Sequence, residues 1–343
     1  MTRYKIRKHH KRNNKKRVKP SAKYVRPGEL IKAPIKFNLT RGAGIDVVKF
    51  LRAVAHRVLI NKKPVRLDFR KTESFFVPGA ILLTAELNRI VGTSDLQKPV
   101  TIIDPQLRRP REVMKQVGIH QITSDRCDII PTRDDVVYWR ATKGADQSGD
   151  KLAILESVAE RANAENAKQV ELSGIWRGVS EAVANTVDHA YELPRADGLS
   201  DLNETKWWMF TQIRDENFTA AVCDLGTGYR STINRFIPEQ FIATWKNILK
   251  GHNRDASAIQ TAMEYGRSGT REDNRGKGSR DALSVLEQHG AGQLFILSNT
   301  GCVRYSYNSG VQQSVELSDL GIDIKGTIVW WNLPLKRDEN VHS

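Results

Sequence analysis

Between Gly178 and Tyr191 the chain reads GVSEAVANTVDHAY, and Val179, Ala182, Val183, Thr186 (through its methyl) and Ala190 recur at steps of three and four. That spacing predicts one buried face of a helix over 175–191. Glu181, Asn185 and His189 fall at i, i+4 and i+8. A helix turns about 100° per residue, so the three stack into one polar stripe. A carboxylate there can take a proton from water, and an amide oxygen can ligate a hard cation such as Mg²⁺. The same stripe also suits the solvated edge of an amphipathic helix. His189 reads as a helix-packing residue rather than a catalytic one.

Upstream, residues 27–34 read as a linker between two prolines. Residues 45–60 predict a helix, with Val47, Val48, Leu51, Val54, Ala55, Val58 and Leu59 on its apolar face. VRLDF (65–69) and PVTIID (99–104) predict short strands, and 80–91 and 107–117 predict helices. Strands and helices alternating at this spacing predict a small parallel or mixed α/β sheet. Further on, DVVYWRAT (135–142) has strand character, 141–151 reads as a loop and 151–167 as a helix. After a polar connection over 193–203, residues 205–213 and 218–224 predict two strands rich in β-branched and aromatic residues. Trp207 and Trp208 read there as sheet packing. Helices follow from 229, then a polar run over 266–276 and a helix over 282–289. Residues 293–298 and 302–307 predict a hairpin around Asn299-Thr300-Gly301. In GTIVWWNLPL, from Gly326, alternation puts Ile328 and Trp330 on one face of a last strand and Val329 and Trp331 on the other.

Composition narrows the class. The chain has 343 residues, 39% hydrophobic and 27% charged, which suits a globular protein of about two domains. No apolar run is long enough to span a bilayer, and the basic start lacks the apolar segment of a secretory signal. No membrane association is expected. Cys127, Cys223 and Cys302 are too few and too scattered for a disulfide framework or a zinc pattern, so a cytoplasmic location is expected. The net charge of +15 is concentrated. Twelve Lys and Arg between Arg3 and Arg26 precede the first acid, Glu29. Residues 3–26 therefore predict a disordered basic arm, suited to nucleic acid or another polyanion, or to solubility or partner docking.

Two glycine elements follow the central helix. The strand over 218–224 ends in Asp224-Leu-Gly226-Thr-Gly228, where glycines permit positive φ or close approach to a ligand; an ordinary turn has the same composition. Farther on, NRGKGSRD (274–281) runs into a helix, and a glycine turn at a helix start can direct N–H groups at phosphate. Arg267, Arg271, Arg275 and Lys277 make that approach basic. It does not have the spacing of a Walker loop. The polar segment between the two elements suits a nucleotide lid.

In order, Glu181/Asn185, Asp224/Gly226/Gly228, Gly276/Gly278 and Gly326/Thr327 resemble the N-box, the DxGxG box, the lid and the Gly-Thr box of the GHKL ATP-binding superfamily, over roughly residues 135–335. SEAVANTVDHAY is most similar to the matching helix of anti-sigma-factor serine kinases. Ser279 departs from the pattern, since a leucine often follows the lid glycines. The resemblance implies an α+β protein. A C-terminal Bergerat-type sandwich at 131–335, a mixed sheet with helices on one face, would follow a basic tail and linker at 1–34 and a small α/β domain at 35–130, with a C-terminal tail at 336–343.

The resemblance also implies roles. Asp224 would hold the adenine amine, Asn185 would ligate Mg²⁺, and Glu181 would orient and deprotonate the attacking water. Gly276, Lys277, Gly278 and Ser279 would wrap the phosphates with backbone N–H groups, Lys277 or one of the lid arginines, Arg271 or Arg275, would neutralise the γ-phosphate, and Thr327 would lie near the adenine. ATP and Mg²⁺ are the implied cofactors. The function implied is an Mg-dependent ATPase acting as a nucleotide-gated switch. A protein serine kinase and partner-switching regulator is the alternative, and a nucleic-acid-binding module with a non-hydrolysing ATP site is the third. Histidine kinases usually carry asparagine where Glu181 stands, which argues against that class. The unit at 35–130 resembles a STAS-like domain, the fold of anti-sigma-factor antagonists, which implies a protein partner. The corner that usually carries a phosphorylatable serine there reads FFVPGA and has no hydroxyl; Thr72 and Ser74 lie just before it. Homodimerisation is expected because such ATPases commonly pair. By analogy of architecture, a bacterial stress-response, signalling or phage-defence role follows.

Overall fold

The structure is a computed structural model that describes residues 28–39, 44–137, 139–147, 155, 168–169, 173–199, 206–214, 216–267 and 277–337. The basic arm over 3–26 lies outside these residues, as does the helix expected over 151–167 apart from Leu155, which is helical and buried. The chain is α+β.

The N-terminal unit is a parallel sheet of β1 (Glu29–Lys32), β3 (Val65–Asp68) and β5 (Val100–Ile103), in that spatial order. β1 falls in the expected linker and corrects it. ELIK is too short and polar to show alternation, but pairing with β3 from Glu29↔Val65 to Lys32↔Asp68 supplies its ladder partner. Helix α1 (Gly44–Ala55) continues into a π-helical turn, His56–Ile60, and buries Val47, Leu51, Val54 and Val58 as its spacing predicts. α2 (Val77–Thr93) carries Pro78 in its first turn, where a missing N–H costs nothing. β2 (Lys36–Phe37) pairs with β4 (Ser74–Phe75), stacking Phe37 on Phe75 at 4.9 Å. The Thr72 hydroxyl donates to the Pro34 carbonyl at 2.8 Å and is buried, so it is committed to structure. α3 (Arg108–Gln116) and α4 (Ile119–Thr123) complete the unit. Where a strand is expected over 135–142, α5 (Asp134–Val137) forms a single turn first. Arg109 Nε meets Asp135 at 2.5 Å there, and Trp139 is buried edge-on against Phe210.

Among the described residues the large sheet has seven strands, in the order β12-β11-β10-β13-β9-β8-β6. They are β6 (Arg140–Gly144), β8 (Trp207–Arg214), β9 (Asn217–Asp224), β10 (Gly292–Ser298), β11 (Gly301–Asn308), β12 (Val311–Asp319) and β13 (Thr327–Pro334). Every pairing in it is antiparallel, which corrects the mixed sheet expected. β12 extends the expected hairpin. A short ladder of β7 (Lys168–Gln169) and β14 (Lys336–Arg337) lies apart.

Both faces of the large sheet are covered, not one. Val329 and Trp331 join a core with α6 (Ser173–Asn185) and, beyond α7 (Tyr229–Phe236) and α8 (Glu239–Ile248), with α9 (Arg254–Arg267) and α10 (Lys277–His289). Ile328 and Trp330 face the other way, as their alternation predicts, into a core shared with the N-terminal unit. There α2 packs on β8 and β9. Trp207 and Trp208 are buried on opposite faces. At the seam the buried Glu86 carboxylate accepts from Arg89 at 2.7 Å and from Arg195, and Arg89 also donates to the Leu199 carbonyl at 2.7 Å. Segment 190–199, which leaves the central helix, is thereby tied to α2.

Candidate functional site

Strand register builds the floor of the site. Asp224, Thr327 and Ser298 lie side by side at the ends of β9, β13 and β10, all on the face that carries α6. Asp224 Oδ1 accepts the Gly226 N–H at 2.8 Å, and Thr327 donates to the same carboxyl. Even so, burial outweighs these bonds and raises the Asp224 pKa from 3.8 to about 6.

The loop after Asp224 is held on all sides. Thr227 N–H donates to the Ala190 carbonyl at 2.9 Å, and a Cβ on Gly226 would stand 2.2 Å from that same oxygen. Gly228 has φ +77°, and a Cβ there would stand 2.5 Å from Ser298 Oγ. These two glycines are therefore required by close approach and, at Gly228, by a left-handed backbone. Asn299 Nδ2 donates to the Thr227 carbonyl at 3.0 Å, and Ser298 Oγ accepts the Tyr229 N–H at 3.1 Å, at the start of α7 (Tyr229–Phe236). From behind, Tyr191 Oη accepts the Leu225 N–H at 3.0 Å and donates to the Lys206 carbonyl.

Opposite the floor stands α6, which passes into a π-helical turn, Thr186–Ala190. The wider turn brings the Ala190 carbonyl to Thr227. Glu181 and Asn185 keep their one-turn spacing within the regular helix. Burial pushes the Glu181 carboxyl above its ordinary range, and the negative charges of Asp281 and Asp188 add to this while His189 opposes it. His189, read as a helix-packing residue, is half-buried. Its side chain is 39% exposed and sits 3.6 Å from Glu192, which also pairs with Arg235 at 2.5 Å.

Between α6 and the sheet lies a cavity of about 470 Å³. Glu181, Asn185, Asp224, Gly228 and Thr327 all line it, with Gly226 one hydrogen bond away. Its apolar walls include Val222, Ile296 and Val329 on the sheet and Met263 on α9. Lys277, Gly278 and Ser279 form the first turn of α10, and Ala282, in the next turn, lines the cavity. Arg271, Arg275 and Gly276 lie outside the described residues.

Sequence reasoning missed Tyr191, Ser298 and Asn299. Tyr191 closes the organising stretch, and Ser298-Asn299 opens the hairpin turn, but their contacts depend on loops far away in sequence. The arrangement sets a buried acceptor at the end of an apolar slot, and a carboxylate and an amide on the opposite wall. A ligand with a flat apolar body, a hydrogen-bond donor at one end and negative charge bound to a hard cation at the other matches that set.

No protein-family model matches the sequence, and no curated protein is similar enough to it to count as a relative.

Proposed function

We propose that this protein binds ATP with Mg²⁺ in the cavity between α6 and the sheet, and hydrolyses it as a nucleotide-gated switch of the GHKL type. The observation that carries the reading is convergence. Glu181/Asn185, Asp224/Gly228 and Thr327, from three separate stretches of chain, meet on one cavity of a size usual for small-molecule sites. The donor set fits the nucleotide: a buried carboxylate for the adenine amine, an apolar slot for the base, and an amide oxygen one helical turn from a carboxylate.

In this reading Asp224 accepts a hydrogen bond from the exocyclic amine, and Thr327 orients that carboxylate. Asn185 would supply an oxygen to the metal. When bound, Mg²⁺ would neutralise charge across the phosphates. Glu181 holds the attacking water and takes its proton; its raised pKa makes it a stronger base than an ordinary carboxylate. The first turn of α10 presents N–H groups to phosphate. The basic arm over 3–26 engages a polyanion, and the N-terminal unit docks a protein partner.

Turnover of γ-labelled ATP by the full chain and by Glu181→Ala and Asn185→Ala tests this. Free phosphate produced by the wild type and lost in both variants is the expected result. Label transferred to a protein hydroxyl would replace the ATPase with a serine kinase. Absence of both products, with no ATP bound, would overturn the reading.

A further inference from the structure

Away from the cavity, in the N-terminal unit, three side chains of different chemistry come together. Asp104 follows β5, His120 lies on α4, and Cys127 lies in the loop beyond it. One donor atom from each lies within 4.8 Å of the other two. His120 Nε2 and Asp104 Oδ1 share a hydrogen bond of 2.7 Å. His120 is buried, and its Nδ1 has no hydrogen-bond partner. The thiol of Cys127 is in no disulfide.

The surrounding backbone fixes this meeting. Ser124 takes a left-handed φ of +55°, which turns the chain back after α4. Asp125 then locks the loop. Its N–H donates to the His120 carbonyl at 3.0 Å, its carboxylate accepts the Ile102 N–H at 2.8 Å, and Lys98 pairs with it at 2.9 Å. Lys115 Nζ donates to the Cys127 carbonyl at 2.9 Å. Cys127 is thus tied to α3, and through Asp125 to the edge of β5.

We propose that Asp104, His120 and Cys127 form a binding site for Zn²⁺ or a cation of the same class. Thiolate, imidazole and carboxylate are the donors that zinc prefers, and three protein ligands leave a fourth tetrahedral position for water. Two anionic ligands balance the charge of the ion. Arg111 Nε, 4.0 Å from Asp104, opposes a cation, but its guanidinium is also engaged by the Pro105 carbonyl at 2.9 Å. On binding, the metal takes the place of the proton shared by Asp104 and His120. That proton moves to Nδ1, so the imidazole stays a neutral ligand; the thiol proton passes to solvent, and metal–oxygen, metal–nitrogen and metal–sulfur bonds form without redox change. The carboxylate and imidazole need to part by roughly half an ångström to reach tetrahedral spacing on bonds of about 2.0 Å. This site is independent of the nucleotide reading.

The test is Co²⁺ and Zn²⁺ titration of the full-length protein, freed of metal by a chelator. Co²⁺ reports both geometry, through visible ligand-field bands, and sulfur, through a near-ultraviolet thiolate charge-transfer band. The expected result is one Co²⁺ per chain with tetrahedral intensity and a thiolate band, displaced by Zn²⁺. Cys127→Ser should lose the thiolate band and bind Zn²⁺ at least roughly tenfold more weakly. Cys302→Ser should retain both. His120 is buried, so circular dichroism must show that His120→Gln is folded before its loss of binding counts in support; Cys127→Ser, at a half-buried position, carries the test if it is not. A folded wild type that gives no thiolate band, or a band that survives Cys127→Ser, would overturn the proposal.

Discussion

Asp224→Asn removes a charge from a place where burial opposes it. The Asp224 carboxyl rises from 3.8 to about 6 chiefly because it is taken out of water. A carboxyl whose pKa is higher in the folded chain holds its proton more tightly there. Its contribution to stability is full below about 3.8, falls as the pH rises towards 6, and is lost above that. The difference corresponds to about 3 kcal/mol at neutral pH. Asparagine keeps the acceptor for Gly226 N–H but weakens the bonds from Thr327, which returns about 1 kcal/mol. The variant should therefore be more stable than the wild type by about 2 kcal/mol at pH 7.5. The gain should vanish towards pH 4. Urea unfolding of both proteins across that range measures it, since other titrating groups cancel in the difference. The same variant should lose nucleotide, because its amide no longer presents an anionic acceptor to the amine. A wild type more stable than Asp224→Asn at pH 7.5, or a difference that does not change with pH, would refute the reasoning.

Other outcomes follow from the same geometry. Glu181→Gln should retain ATP and lose roughly 10²–10⁴ in turnover, read as phosphate release against equilibrium binding. In the wild type the acid limb of turnover should fall above the ordinary carboxylate range, because the Glu181 pKa is raised and the base is lost once it is protonated; a pH–rate profile checks this. Tyr191→Phe should destabilise the fold by about 1–3 kcal/mol, since it strips the Leu225 N–H and Lys206 carbonyl of their partner; thermal unfolding reads the loss. Deleting residues 1–26 removes twelve basic side chains. It should flatten the salt dependence of polyanion binding, measured by fluorescence anisotropy, and leave ATP turnover unchanged.

Elements with strong periodicity were legible in the chain. The face of α1 and the alternation of Ile328, Val329, Trp330 and Trp331 both read directly, because burial repeats with the element's own period. β1 and β12 did not. The first is a strand only because β3 lies beside it, and the second is a sheet edge whose polar residues face out. α5 hid in a β-branched run, since Val136 and Trp139 are buried by tertiary packing rather than by a ladder. The candidate site divides in the same way. Glu181 and Asn185 announce themselves by spacing on one helix, and Asp224 by its glycines. Tyr191, Ser298 and Asn299 act through side-chain hydrogen bonds that span 29 residues or more, apart from the bond of Tyr191 to Lys206, and no local pattern marks those. The covering of the sheet's second face is likewise a property of two distant segments, α2 and β8–β9.

Calorimetric titration of the full-length protein with ATP and with GTP, each with Mg²⁺, tests the central claim most directly. Asp224 offers an acceptor that suits the amine of adenine and repels the carbonyl oxygen guanine carries at the same position. ATP should bind one per chain, GTP should not compete, and Asp224→Asn should abolish the heat of ATP binding while remaining folded. No binding of ATP, or equal binding of both nucleotides that survives Asp224→Asn, would contradict the account.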